Sequence, residues 1–155
     1  MGFTPATNGF RPASNYATPD ETGDNHPCLD FDGTTNQTAY YHLALPGGYG
    51  SAGMTYTFLL AMTSATSGNV QLDLAVERMN TDLTASGGFG SDTTGSIAVS
   101  GSANVPVELS IAVANADLDG TPAGGFYRLR VVRNNSVASN AAGDLELLSF
   151  TDKET

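Results

Sequence analysis

Residues 48–53 place glycines at the three fixed positions of the GxGxxG loop, which holds the pyrophosphate of a dinucleotide against a helix N-terminus. That chemistry requires a strand before the loop and a helix after it. The residues that follow, 54–62, alternate as a strand does and show no helical period. A glycine-rich hairpin loop is therefore the better interpretation, and we predict no cofactor.

Residues 115–120 have the first half of an EF-hand loop, which binds Ca²⁺ through carboxylate and carbonyl oxygens. The twelfth position of such a loop carries a bidentate carboxylate, and the corresponding residue here is Phe126. A turn is the better interpretation, because Asp and Gly favour turns for local reasons. We predict no metal site. The acidic pairs at which calcium binding stays open are Asp117 with Asp119 and Asp30 with Asp32.

The sequence has no catalytic motif with the required spacing. The two histidines, His26 and His42, have no second His or Cys at metal-ligand spacing. Ser51 lacks the GxSxG elbow, because Tyr49 stands where the first glycine should be. The single cysteine, Cys28, lies in an apolar run, which favours a small buried core residue, and it excludes an internal disulfide. We predict no catalytic residues and a protein that is not an enzyme.

Three of the six basic residues, Arg128, Arg130 and Arg133, lie in one predicted strand, where the first two share the outward face. Two interpretations of these two stay open: cross-strand pairs with Asp or Glu, or contact with an acidic partner surface. Phe89 lies in the longest polar loop, residues 80–95, and is a further candidate for a contact. We therefore predict Phe89, Arg128 and Arg130 as partner-binding residues.

Residues 1–26 are predicted to form an extended N-terminal arm. Pro5, Pro12 and Pro19 prevent a long regular element in this segment. The segment nevertheless contains more aromatic residues than a flexible tail usually has. We therefore expect the arm to pack on its own domain or on a neighbouring chain. Its predicted contact residues are Phe3, Phe10, Arg11 and Tyr16.

Length and charge exclude several classes of protein. A chain of 155 residues is expected to form one domain besides the arm. Its formal net charge of −10 repels phosphate backbones and anionic membrane surfaces, so we expect neither nucleic acid nor membrane as a partner. The first residues lack the basic start and apolar core of a secretory signal, and no apolar stretch is long enough to span a membrane.

Short alternating segments dominate the chain, separated by loops of Gly, Ser, Thr, Asn and Asp. The predicted strands are residues 28–31, 39–45, 54–62, 70–78, 96–100, 107–114, 126–133 and 145–151. The most regular alternation is in 70–78, where Gln71, Asp73 and Glu77 are expected to face outward. Eight strands in residues 27–155 predict an all-β fold, an eight-stranded jelly-roll-like β-sandwich. An immunoglobulin-like sandwich is the rival, although the chain has no Trp and no Cys pair.

Several strand and turn patterns resemble those of small β-sandwich virion structural proteins of tailed bacteriophages. The segments that carry the resemblance are Pro-Cys-Leu-Asp-Phe-Asp at 27–32 with Thr34 and Thr35, Thr-Ser-Ala-Thr-Ser-Gly-Asn-Val at 63–70, Ala-Val-Glu-Arg at 75–78, Phe-Tyr-Arg-Leu-Arg-Val at 126–131 and Gly-Asp-Leu-Glu-Leu at 143–147. The resemblance implies a capsid decoration, or cement, protein. Such a protein is assembled in the host cytoplasm, binds the major capsid protein on the outer surface of the virion head as a homo-oligomer, commonly a trimer, and stabilises the coat lattice.

The second hypothesis is a carbohydrate-binding or receptor-binding β-sandwich module of a phage tail or fibre. Jelly rolls often bind sugars, and sugar sites usually stack aromatic rings. The tyrosines that could supply such rings are Tyr40, Tyr41, Tyr49 and Tyr56. The lack of Trp counts against this hypothesis, and a small enzyme ranks third.

Overall fold

Nine strands form two antiparallel sheets in the computed structural model, which describes residues 15–22, 26–79 and 88–155. The strands are β1 Thr18–Thr22, β2 His26–Phe31, β3 Gln37–Ala44, β4 Met54–Met62, β5 Asn69–Arg78, β6 Thr93–Ala98, β7 Val107–Val113, β8 Phe126–Arg133 and β9 Leu145–Glu154. The five-stranded sheet has the order β1-β2-β9-β4-β7, and the four-stranded sheet has the order β3-β8-β5-β6. The prediction of an all-β, jelly-roll-like sandwich is confirmed, with one strand more than expected.

The core lies between the two sheets and follows the predicted alternation. On β5, Val70 and Leu72 point inward and are at most 1% exposed. On β8, Tyr127 and Leu129 point inward and have no exposed surface. The hydroxyl of Tyr56, on β4, donates a hydrogen bond of 2.9 Å to the hydroxyl of Tyr127, which satisfies both buried groups across the core.

The first strand lies inside the segment predicted as an arm. β1 pairs with β2, and Pro19 fits there because β1 is the edge of its sheet. Just before β1, Tyr16 forms a bridge with Thr38 of β3, and Ala17 is buried in the core. Residues 15–22 therefore belong to the sandwich, which begins earlier in the chain than the sequence indicated.

The glycine-rich segment 48–53 crosses from one sheet to the other. β3 precedes it in the four-stranded sheet and β4 follows it in the five-stranded sheet, so the prediction of a hairpin loop is wrong. The buried Tyr49 hydroxyl accepts a hydrogen bond of 3.0 Å from the Gly53 N–H and donates one of 2.7 Å to Asn115 Oδ1. Gly53 has φ of 102°, and a Cβ there would lie 2.6 Å from the Val113 carbonyl oxygen, so only glycine fits.

The helical structure of the described residues is one 3₁₀ turn at Asn115–Asp117, between β7 and β8. It lies in the segment that begins like an EF-hand loop. Beyond it, Asp119 adopts φ of 51°, and its Oδ2 accepts a hydrogen bond of 2.9 Å from the Arg78 N–H. The interpretation of this segment as a turn is confirmed. Within the described ranges, no helix has the length and hydropathy needed to cross a membrane.

Candidate ligand-binding face

The outward side of the four-stranded sheet carries three of the residues that the sequence singled out, Tyr40, Arg128 and Arg130. Because successive residues of a strand face opposite sides, Phe126, Arg128 and Arg130 point away from the core. We call the outward side chains of this sheet the outer face. It consists of Thr38, Tyr40 and His42 on β3, Phe126, Arg128, Arg130 and Val132 on β8, Gln71, Asp73, Ala75 and Glu77 on β5, and Thr94 and Ser96 on β6.

Each of the two outward arginines forms an ion pair. Arg128 donates from Nε, at 2.9 Å, and from Nη2 to Oε2 of Glu77, which stands directly opposite on β5. Arg130 Nη2 lies 2.6 Å from Oδ1 of Asp92, just before β6. Of the two interpretations of these arginines, pairing with acidic residues is therefore observed, across strands for Arg128 and with a loop residue for Arg130. Contact with a partner stays a prediction.

Phe89 packs onto the same arginines. Its ring stacks on Tyr40, with 5.7 Å between the ring centroids. The guanidinium carbons of Arg128 and Arg130 lie 4.6 and 4.8 Å from the centroid of the Phe89 ring, within the range of cation–π contacts. The structure thus brings together Phe89, Arg128 and Arg130, which were predicted as partner-binding residues, and adds Tyr40. We call these four residues the aromatic–arginine cluster.

Two residues on the outward side of β5 are buried although they face away from the core. Ala75 and Glu77 point outward, yet they are only 2% and 3% exposed. Glu77 therefore faces the expected side of the sheet but is covered instead of solvated. The burial leaves Glu77 Oε1 and Arg130 Nε without a hydrogen-bond partner among the described residues. An alternating pattern gives the direction of a side chain and contains no information about how far that side chain is buried.

A second polar group on the outer face surrounds Asp73. Its carboxylate accepts hydrogen bonds from Gln71 Nε2 at 2.9 Å, Thr94 Oγ1 at 2.8 Å and Asn134 Nδ2 at 2.8 Å. These residues come from β5, β6 and the end of β8, so the network crosses three neighbouring strands. The result is an ordered array of hydroxyl, amide and carboxylate groups beside the aromatic–arginine cluster.

Phe126 is an exposed aromatic ring on this face. It is 65% exposed at the start of β8, opposite Ala44 of β3 and two residues before Arg128. The sequence analysis did not single it out, although its place in the alternation with Arg128 and Arg130 was the signal that could have found it. An exposed large apolar side chain in a polar setting marks a candidate contact surface.

Three of the four tyrosines proposed as stacking residues do not lie on this face. Tyr56 has no exposed surface, and Tyr49 is 9% exposed. Tyr41 packs toward the core, where its ring meets the edge of Phe150 at 4.7 Å between centroids. Their strands and loops turn them inward, so the prediction is wrong for these three, and Tyr40 remains.

The predicted contact residues of the arm fall mostly outside the described part of the chain. Tyr16 is described: it is half-buried and forms a bridge with Thr38 of its own domain. Phe3, Phe10 and Arg11 lie outside the described residues. That these three residues contact a partner therefore stays a prediction.

Two of the four acids at which calcium binding stayed open, Asp32 and Asp119, accept hydrogen bonds within the chain. Asp32 Oδ1 accepts the N–H groups of Thr34 and Thr35 and the Thr34 hydroxyl, each at 2.7 Å, and these bonds lower the pKa of Asp32. Asp119 accepts the Arg78 N–H. Across residues 15–22, 26–79 and 88–155, no group of three or more His, Cys, Asp or Glu side chains is placed to hold a metal ion.

Asp30 belongs to a pair of carboxyl groups on the outward side of the five-stranded sheet. It stands opposite Glu146 in the β2–β9 register, and Glu146 accepts a hydrogen bond from the Cys28 thiol. Burial and the nearby Glu146 raise the pKa of Asp30 to about 6, and burial raises the pKa of Glu146 as well. Burial also raises the pKa of Cys28, which favours the protonated thiol. The prediction that Cys28 is buried is confirmed, but its thiol bonds Glu146 on the outward side of the sheet and lies outside the core cluster.

The comparisons with known proteins agree with the architecture. No family model matches the chain, and no curated protein matches it either. Among solved structures, a carbohydrate-binding module specific for non-crystalline cellulose matches with a TM-score of 0.54 and 15% identity, over 92% of this chain and 83% of that one. This chain shares the fold of that module.

Two further matches are also carbohydrate-binding modules. One, of family 16, has a TM-score of 0.49 and 13% identity, over 95% of this chain and 92% of that one. The other, of family 30, comes from a cellulosomal cellulase of Clostridium thermocellum and has a TM-score of 0.49 and 10% identity, over 93% of this chain and 85% of that one. At such identities the likeness concerns the fold, and any binding site must be argued from the side chains of this chain.

Proposed function

We propose that this protein binds carbohydrate through the outer face of its four-stranded sheet, and that it binds without catalysing a reaction. The observation that carries the proposal is the ring of Phe126, which is 65% exposed and stands two residues from Arg128 on the same side of β8. The earlier hypothesis of a carbohydrate-binding β-sandwich module is thus preferred to that of a capsid decoration protein.

The outer face combines the two kinds of group that a sugar requires. A pyranose ring has apolar C–H surfaces, which an exposed aromatic ring such as Phe126 removes from water. Its hydroxyl groups both donate and accept hydrogen bonds, and the outer face offers the guanidinium N–H groups of Arg128 and Arg130 beside the carboxylate of Asp92, whose side chain is 47% exposed. Beside them, Asp73 and its partners supply amide and hydroxyl groups.

The fold gives separate support. The matching module with a TM-score of 0.54 is described as specific for non-crystalline cellulose. Applied to this chain, that description suggests soluble or amorphous β-glucans as the first ligands to test.

The test is binding to a panel of polysaccharides by affinity electrophoresis, followed by calorimetry for any ligand found. Phe126→Ala is expected to weaken binding by about tenfold or more, because a stacked aromatic anchor commonly contributes 2 kcal/mol or more. The matched control is Val105→Ala, since Val105 is an exposed apolar residue, 46% exposed, away from this face. Far-UV circular dichroism checks that both variants are folded. It does not depend on Trp fluorescence, and the chain has no Trp.

Two outcomes would contradict the proposal. One is that the wild-type protein binds none of the polysaccharides. The other is that Phe126→Ala and Val105→Ala have the same affinity as the wild type, in which case binding uses another surface. The hypothesis of a capsid protein, with its trimer, its virion location and its contact with the major capsid protein, stays a prediction. Its predicted contact residues Phe3, Phe10 and Arg11 lie outside the described residues.

A further inference from the structure

We infer that the ligand of the outer face is an uncharged glycan and not an acidic one such as a polyuronate. This inference rests on the proposed function and adds the chemical class of the ligand. Two arginines on an exposed sheet surface would, from the sequence alone, favour an anionic ligand. The contacts of Arg128 and Arg130 argue against that simple interpretation.

The charge of both arginines is already neutralised within the chain. Arg128 uses Nε and Nη2 for the carboxylate of Glu77, and Arg130 is paired with Asp92 at 2.6 Å. Glu77 is only 3% exposed. A ligand carboxylate that displaced Glu77 from Arg128 would leave a buried carboxylate without its cation, which is strongly unfavourable.

The flat surfaces of the two guanidinium groups are also engaged. The Phe89 ring centroid lies 4.6 Å from the Arg128 guanidinium carbon and 4.8 Å from that of Arg130. The Arg128 carbon lies 5.2 Å from the Tyr40 ring centroid as well. These contacts hold the arginines on the sheet, so they do not extend into solvent toward an approaching anion. What remains for a ligand is a surface of paired donors and acceptors.

The electrostatic field around the outer face also disfavours an acidic ligand. The described charged groups of the region are two cations, Arg128 and Arg130, and three carboxylates, Glu77, Asp92 and Asp73. The whole chain has 16 acidic and 6 basic residues, a formal net charge of −10. A polyuronate carries a negative charge on every sugar, so its approach is opposed both locally and at long range. A neutral polysaccharide meets no such repulsion, and its hydroxyl groups match the paired donors and acceptors of the outer face.

The experiment compares uncharged polysaccharides, namely hydroxyethylcellulose, mixed-linkage β-glucan and galactan, with polygalacturonate and alginate. Each is tested with the full chain at about 20 and about 200 mM NaCl, which shortens the screening length about threefold. We expect binding to one or more uncharged polymers, with an affinity that changes less than about twofold between the two salt concentrations. We expect no binding to either polyuronate.

The outcomes separate the inference from the proposed function. Binding to a polyuronate that weakens as salt is added would overturn the inference and leave carbohydrate binding intact. Binding to no polysaccharide of either class would overturn the proposed function, and the inference with it.

A pair of variants with the same change in charge makes the test sharper. Asp92→Asn removes the partner of Arg130, and Asp92 is partly exposed, so the fold should tolerate the change. Glu108→Gln, on the exposed side of β7, is the control. We expect Asp92→Asn to bind polygalacturonate detectably and Glu108→Gln not to bind it, since a freed guanidinium attracts carboxylates. The absence of binding in both variants would show that ion pairing does not set the preference.

Discussion

The guanidinium of Arg133, at the end of β8, donates a hydrogen bond of 2.9 Å to the carbonyl oxygen of Phe31, at the end of β2. The contact joins the two sheets, because β8 and β2 belong to different ones. The same guanidinium donates to the carbonyl oxygens of Gly143 at 2.8 Å and Ala141 at 3.0 Å. Arg133 has no exposed surface, and burial lowers its pKa. One side chain therefore fixes the end of the sandwich and the loop before β9.

Replacing this arginine should destabilise the fold. Arg133→Met leaves three carbonyl oxygens without their donor, and we expect a loss of about 3 kcal/mol or more in the free energy of unfolding, measured in urea by circular dichroism. The control is Arg78→Met, since Arg78 is an exposed arginine at the end of β5, and its loss should be below about 1 kcal/mol. Equal losses in the two variants would show that the buried hydrogen bonds contribute nothing net.

The carboxyl pair Asp30 and Glu146 should make stability depend on pH. Burial, with Glu146 opposite, raises the pKa of Asp30 to about 6 in the folded chain, above its value of about 4 in an unfolded chain. Between those values the folded state holds a proton that the unfolded state has lost, so this group stabilises the fold at low pH. That stabilisation is lost as the pH rises through about 6.

The measurement is the free energy of unfolding of the wild type and of Asp30→Asn at several pH values from about 4.5 to about 7.5. We expect the wild type to lose stability relative to Asp30→Asn as the pH rises, because the amide does not ionise. Glu108→Gln, an exposed position on β7, should run parallel to the wild type. A constant difference between the wild type and Asp30→Asn would contradict the raised pKa.

The hydroxyl pair in the core gives a third prediction. Tyr56 and Tyr127 have no exposed surface, and the bond between them spans the two sheets. Removing either hydroxyl leaves the other without its partner, so Tyr56→Phe and Tyr127→Phe should each cost about 1–2 kcal/mol. The double variant should cost less than the sum of the two, and a double-mutant cycle measures that difference. Strictly additive losses would mean that the two hydroxyls do not interact.

Local alternation made much of the fold predictable. The bounds of β4, Met54–Met62, and of β8, Phe126–Arg133, agree with the sequence prediction. β8 alternates along its whole length, whereas β4 alternates at first and ends in apolar residues that are buried. β1 was missed because Pro19 indicates an irregular segment, whereas an edge strand tolerates proline. The crossing at residues 48–53 was missed since a local pattern does not say which sheet the next strand joins.

The candidate site was predictable only in part. Arg128 and Arg130 could be placed outward from their spacing alone. Their contact with Phe89 could not, because it joins residues that are about forty positions apart in the chain. Phe126 was a missed signal: an aromatic residue in phase with two outward arginines is exposed for the same geometric reason that they are.

The last prediction separates burial from cation–π attraction at Phe89. Phe89→Ala removes the ring from both guanidinium groups and from Tyr40, so we expect a loss of about 2 kcal/mol in the free energy of unfolding. Phe89→Leu keeps an apolar cover but no π face. If the contacts with Arg128 and Arg130 are cation–π contacts, the leucine variant should still lose about 1 kcal/mol, measured by urea unfolding. A leucine variant as stable as the wild type would mean that the ring acts through apolar coverage alone.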